Sequence, residues 1–537
     1  MDRAKEVWWE TYRRKQSRRM NMENILRKSA FDTAAEYTSH SSIAGVKEIF
    51  AHNIGHYRLA WIAAFSAMVV ATCYFLVHIW SDTLTKPLIV TMESSTYPIS
   101  EIDFPAIAIC NINRISKKTF NKRAEMLWSR FISNTASASA NQTFREFKKL
   151  YGQLGRLVDS TWTQDFRNHP FSVIFDHEMI DEMLLTEMKE LAPSCSDMLL
   201  RCAWAGELVK CSDIFTVRRT VKGHCCAFNF ILDYDSAGSP ERTIASAKRQ
   251  MSAGISQGLN FILDPMLDDY LYPLGYVPGF DLFLFDPTHF ADPSGGRVIH
   301  RLIEPNQVML LHLKSVKQYA THEVRRYPLE TRKCLFHDEQ KQFGNMYSYS
   351  ACIINCRIRT MQSLCKCTPY YLPAGKGVSI CHLDNLACLN KYKEKLLYQY
   401  PKGAETKKGL ETETQDSMNC PECLPDCEFT QHYTRAFKSP MSLQLSNLSE
   451  FGNKDLKTIF RKQLDLVNKS IVAIFQPTDD CTLDRLDVIS YWFEVVSNIG
   501  GFAGIFMGFS FVAIAEIIYF ILIRFPKILY DNYMEYH

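Results

Sequence analysis

Two long apolar runs near the two ends constrain this chain more than any other feature. The first is Leu59-Ala-Trp-Ile-Ala-Ala-Phe-Ser-Ala-Met-Val-Val-Ala-Thr-Cys-Tyr-Phe-Leu-Val-His-Ile79, and it holds no formal charge. At about 20 residues it has the length that crosses a bilayer as a helix. A buried core helix is usually shorter and two-faced. A cleavable leader would not lie 58 residues into the chain and would carry a shorter apolar run. The second run extends from Val488 to Ile523, and its middle, Val495 to Ala515, is uncharged. Glu494 and Glu516 stand at its margins. Ionisable groups inside or beside a span are costly, and they usually face water or an ion path.

Basic residues set the expected orientation. Arg13, Arg14, Lys15, Arg18, Arg19, Arg27, Lys28 and Arg58 precede the first run, and Arg524 and Lys527 follow the second. By the positive-inside rule both tails are expected in the cytoplasm. The chain then divides into a cytoplasmic segment 1–58, a span 59–79, an outer domain 80–487, a second span 488–523 and a cytoplasmic tail 524–537. Of 18 cysteines, all but Cys73 fall in 80–487, which reads as a disulfide-bonded extracellular domain. Sequons begin there at Asn141, Asn447 and Asn468 and make these candidate glycosylation sites. The net charge of +3 over 537 residues implies no nucleic acid partner.

The outer domain is expected to be α+β. Phe104–Cys110, Val308–Val316, Leu259–Leu263 and Ser470–Phe475 read as strands, and 120–150 and 176–192 have helical spacing. Residues 400–419 are polar and read as an exposed loop. No period of 20–50 residues marks a repeat protein.

Two motifs carry a family resemblance. One is Tyr347-Ser-Tyr-Ser-Ala-Cys-Ile-Ile-Asn-Cys-Arg-Ile-Arg-Thr-Met-Gln-Ser-Leu-Cys-Lys-Cys-Thr-Pro-Tyr-Tyr-Leu-Pro373. The other is Asn498-Ile-Gly-Gly-Phe-Ala-Gly-Ile-Phe-Met-Gly-Phe-Ser510. With Phe104–Asn113, Met198–Cys202 and Cys225–Asn229, they closely resemble the degenerin/epithelial sodium channel family, in the family's order over nearly the whole chain. Phe509 and the Cys-x-x-Cys at 420–423 resemble its insect pickpocket branch. Acid-sensing ion channels are further relatives by the same resemblance.

The resemblance implies a trimer around one pore, each subunit with wrist, palm, thumb, finger, knuckle and β-ball. It implies a sodium-selective, amiloride-sensitive plasma-membrane channel, homomeric or heteromeric, with no cofactor and sodium as the permeant ion. It also implies the pairs Cys334–Cys427, Cys352–Cys423, Cys356–Cys420, Cys365–Cys388, Cys367–Cys381, Cys110–Cys225 and Cys202–Cys211. Cys195 with Cys226 is a guess. Cys481 is left over, either free or intermolecular. Zinc at Cys365/Cys367 or Cys420/Cys423 is the disfavoured alternative.

By the same resemblance Gly508, Phe509 and Ser510 form the selectivity filter. Gly500, Gly504 and Gly508 recur every four residues and are expected on one helix face, with Asn498 and Gly501 beside them. There, close packing and a pore lining of oxygens are both compatible with glycine. The Phe509 side chain is expected to point away from the pore axis. Glu494 is either a cation-concentrating ring at the mouth or a solvated carboxylate, and Glu516 is expected to face the cytoplasmic vestibule. Ser497 aligns with the position where bulky replacements hold such channels open. The family's His-Gly pair before the first span is Ala44-Gly45 here, which puts conduction by the chain alone in doubt.

Three rivals remain. Gly254-Ile-Ser-Gln-Gly258 fits an esterase elbow, but the strand is expected after the serine, not before it. An ATP-gated receptor would share the two spans but not these motifs. The third is a non-conducting accessory subunit of the same family.

Overall fold

The computed structural model describes residues 22–51, 55–85, 87–132, 140–161, 181–231, 247–295, 297–340, 346–373, 378–401, 403, 407–441 and 466–536. Asn447 and the basic residues before Met22 lie outside them. The chain forms two compact units, one made of both ends (through Ile89 and from Val488) and one of Val90–Asp487.

The middle unit is built on two sheets. The larger runs β1 (Leu88–Pro98), β13 (Asp480–Val488), β10 (Gln307–Ala320), β12 (Ser470–Phe475), β7 (Leu259–Leu263), β3 (Leu199–Trp204) and β4 (Glu207–Val209), with β11 (Phe429–Pro440) also paired to β10. β10 organises it. Its first half pairs in parallel with β12 (Val308 opposite Ile471), its second half in parallel with β13 (Val316 opposite Thr482), and β11 lies antiparallel along it. Met309, Leu311, Leu313 and Ser315 are buried in alternation, the period-two pattern of a strand with one packed face.

The smaller sheet is β5 (Phe215–Thr220), β6 (Gly223–Phe228), β2 (Ala106–Asn111), β8 (Phe280–Phe285) and β9 (Ile299–Ile303). The burial of β2 explains its continuous apolar run. Ala106, Ala108 and Cys110 enter a core shared with helices, including Phe120 and Leu127. Ile107 and Ile109 enter the core shared with the larger sheet, against Leu259, Phe261 and Val472. A strand covered on both faces needs no polar alternation.

The cysteine motif folds as a helix over Tyr349–Cys365. The Ser348 hydroxyl accepts from Ala351 N–H to start it, and left-handed Lys366 ends it. Cys352 and Cys356, one turn apart, share a face and bond Cys423 and Cys420. Cys334–Cys427, Cys365–Cys388, Cys367–Cys381, Cys110–Cys225 and Cys202–Cys211 are also joined, as is Cys195–Cys226. With all four sulfurs in disulfides, neither Cys365/Cys367 nor Cys420/Cys423 is left for zinc. Cys481 is unpaired and buried against Ile99 and Ile102, and burial pushes its thiol up to about 11. Residues 400–419 are not wholly loop. They hold a short helix, Glu411–Gln415, and buried Met418. Gly254 starts a turn at φ +110° that leads into β7, so the strand follows Ser256 and the esterase elbow is absent.

One buried group gives a pH signature. The His432 Nδ1 on β11 is 2.8 Å from the Ser315 hydroxyl, which accepts from Gln476 Nε2. Burial pushes this imidazole down to about 4, against the opposing charge of Asp286. A base with a lowered folded pKa contributes stability that is present above its ordinary value, about 6.5, and lost as pH falls toward 4. The loss approaches about 3 kcal/mol. The melting temperature is expected to fall less between pH 7 and pH 4.5 in His432→Asn than in the parent.

Candidate functional site

The end unit holds the residues singled out for conduction. Its first apolar helix is Gly55–Thr85, longer at both ends than the expected span. By length and apolarity its Gly55–Ser81 portion suffices to cross a membrane. The second run is not one helix. It breaks into Trp492–Met507 and a helical stretch from Phe511, which meet at a 76° bend. Phe75 of the first helix stacks on Phe502 and Phe506 at 5.1 and 5.8 Å.

The break coincides with Gly508-Phe509-Ser510, and each residue has a local reason. Gly508 is left-handed (φ 64°), a conformation that costs other residues energy. Its N–H donates to Gly504 C=O at 2.9 Å, and Phe509 N–H donates to Ala503 C=O at 3.2 Å. These are the closing bonds of a helix C-terminus. Ser510 is extended, and its hydroxyl accepts from Ala513 N–H at 3.3 Å, capping the next helix. Among the described residues, neither the Gly508 nor the Phe509 carbonyl accepts a backbone hydrogen bond. The shared helix face expected of Gly500, Gly504 and Gly508 therefore stops at Gly504, because Gly508 ends the helix instead of lining it. A Cβ on Gly500 or Gly501 would meet nothing within 4 Å, so that surface is open within this chain.

The segment before the first helix packs against the break. Ala44 N–H donates to Met507 C=O at 3.0 Å, taking one of the carbonyls a helix end leaves free. A Cβ on Gly508 would stand 3.3 Å from both the Ala44 Cβ and its nitrogen. Gly45 is itself left-handed (φ 84°) and starts a short helix, Val46–Ala51. Below the break, Glu516 Oε2 accepts from Ser42 N–H (3.1 Å) and the Ser42 hydroxyl (2.8 Å). Farther along, Arg524 makes a forked pair with Glu36, its Nε 2.9 Å from both carboxylate oxygens. Tyr37 meets Phe520 edge-on at 5.3 Å, and Asn532 Nδ2 donates to the Ser29 hydroxyl at 2.9 Å.

Ser29 to Ala44 thus straps the lower second helix up to its break. Sequence reasoning missed Glu36 and Ser42. The available signal was Glu516, an acid in an apolar run that requires a partner, though none basic takes the role.

Glu494 accepts from Tyr491 N–H at 3.1 Å and caps the upper helix, a favourable place for a carboxylate. Ser497 and Asn498 are exposed on the same helix. Asn468 is left-handed, and its N–H donates to Asn306 Oδ1 at 2.7 Å. Asn141 lies in the helix Ala140–Gly152. Among the described residues no cluster of three His, Cys, Asp or Glu could hold a metal.

Residues 37–520 match the profile of the amiloride-sensitive sodium channel family. This chain belongs to that family, the degenerin/epithelial sodium channels. It is 22% identical to sodium channel protein Nach of Drosophila melanogaster, over 93% of this chain and 88% of that one. It is 22% identical to pickpocket protein 28 of Drosophila melanogaster (91% and 78%). Acid-sensing ion channel 1 of Gallus gallus is 23% identical (90% and 82%). These relatives are ion channels, not enzymes.

Proposed function

We propose that the chain is one subunit of a trimeric, sodium-selective, amiloride-sensitive channel of the plasma membrane. Both termini are cytoplasmic, residues 80–487 are outside as palm, thumb, finger, knuckle and β-ball, and 59–79 and 488–523 mark the spans. The observation that carries the reading is the break at Gly508-Phe509-Ser510. Three copies around an axis would offer rings of carbonyl and hydroxyl oxygens to a partly dehydrated sodium ion, without a fixed charge to trap it. The bare surface at Gly500 and Gly501 lets three helices approach closely. Glu494 adds negative charge above, and Ala44-Gly45 buttresses the filter from below.

The test is whole-cell current from cells expressing the chain, alone and with a family partner, before and after sodium is replaced by a large organic cation. Inward current that disappears on replacement and is blocked by amiloride supports the proposal. A second reading, an accessory subunit that does not conduct, is favoured by Ala44 in place of the family's histidine. It predicts silence from the surface-expressed chain alone.

The strap makes a separate prediction. Glu516→Ala removes the acceptor of both Ser42 donors, and a hydrogen bond to a charged group contributes about 1.5–3 kcal/mol. The expected result is reduced preference for sodium over potassium, read as a reversal-potential shift, with Ser42→Ala shifting it the same way by less.

A further inference from the structure

We propose that the middle unit holds a binding site for an organic anion with an apolar body, in a cleft between the disulfide-laced helix and the smaller sheet. This goes beyond the conduction reading and does not depend on it. The cleft has a volume of about 430 Å³, within the range of small-molecule pockets. Its apolar wall is Val158, Phe283, Met361, Leu389 and Leu396, all buried, with Leu397 at the rim. Such a wall favours rings or an alkyl body.

Charge selects the sign of the ligand. Arg357 and Asp292 line the cleft as a buried pair, Nη1 to Oδ2 at 2.6 Å, with Nη2 on the Ser294 hydroxyl at 2.6 Å. The Arg357 Nε is buried and unbonded. Asp159 is already engaged by the Tyr272 hydroxyl (3.2 Å) and Thr161 N–H (3.0 Å). His300 Nε2 is paired with Asp281 at 2.9 Å. Lys222 and Lys393 also line the cleft, and neither makes an ion pair among the described residues. Three cations therefore face two occupied carboxylates. The lining therefore carries a net surplus of one positive charge beside an apolar wall, with the Lys222 and Lys393 ammonium groups placed to hold a carboxylate or sulfonate by charge-assisted hydrogen bonds.

The occupant would touch Met361 of the helix Tyr349–Cys365, Leu389 and Leu396 of the two short helices Leu386–Lys391 and Lys393–Leu397, and Phe283 of β8.

The experiment measures binding, not current, so a failure of the conduction reading cannot be mistaken for a failure here. The purified full chain is melted in detergent with increasing naphthalene-2-carboxylate or its neutral counterpart, naphthalene-2-carboxamide. The expected result is a saturable rise in melting temperature with the carboxylate and little with the amide. In Lys222→Glu/Lys393→Glu the half-saturating concentration is expected to rise at least about tenfold. Met361→Trp, which fills the cleft, is expected to abolish the rise even if its own melting temperature is changed. Equal effects of carboxylate and amide, or unchanged binding in the double variant, would overturn the proposal.

Discussion

Cells expressing Gly508→Val are expected to carry no sodium current, although the subunit still reaches the surface. Two costs add at this position. Gly508 is left-handed at φ 64°, which costs an ordinary residue about 1–2 kcal/mol and a β-branched one more. Its Cβ would also press on the Ala44 Cβ and nitrogen at 3.3 Å, closer than ordinary contact, and valine adds two methyls beyond it. The chain can relieve both only by straightening the bend or expelling the strap, and either moves the unbonded carbonyls at 508 and 509. Gly508→Ala meets the same backbone penalty without the extra methyls and is expected to keep a reduced current with weaker sodium preference. Surface biotinylation beside whole-cell recording separates lost conduction from lost expression. Wild-type current and selectivity in the valine variant would show that the bend is not the conducting element.

The second large effect runs the other way. Ser497→Phe is expected to raise resting current at least about tenfold, the change that some 1.4 kcal/mol against the closed state produces. Ser497 is exposed one turn above the bare surface at Gly500 and Gly501. If three such helices meet there when the pore is shut, a phenyl ring at 497 obstructs that packing and leaves the open arrangement comparatively unharmed. Ser497→Ala is expected to leave resting current unchanged, because it adds no volume. A silent, surface-expressed Ser497→Phe would contradict the assignment of this helix to the gate.

What was legible in the sequence follows from how each element is buried. β2, β7 and β12 announce themselves because both faces are covered and their runs are mainly apolar, with only Asn260 breaking the run inside β7. β13 was missed. Its burial alternates, and Asp484 and Arg485 interrupt the apolar signal between Leu483 and Leu486. The Gly-x-Ser motif was visible, but its local conformation was not. A four-residue glycine spacing suits both a continuous helix face and a helix that stops at its last glycine, and only the left-handed backbone of Gly508 separates them. The strap was hidden for a different reason. Ser42 and Glu516 are 474 residues apart, and no periodicity links positions so distant. The helix-ending role of Gly508 also explains what Ala44 does in place of histidine. Its backbone N–H makes the contact with Met507, so the residue's identity alters the surroundings of the break at Gly508 without removing that bond.

The most direct measurement is the reversal potential of the current carried by Ser497→Phe when external sodium is exchanged for potassium. The account predicts a large shift to negative voltage, and the same exchange in a Ser497→Phe/Ser510→Ala double variant should shift it less, as the proposed role of the hydroxyl at the break in selection requires. A reversal potential that does not move on exchange would contradict a sodium-selective pore at Gly508-Phe509-Ser510.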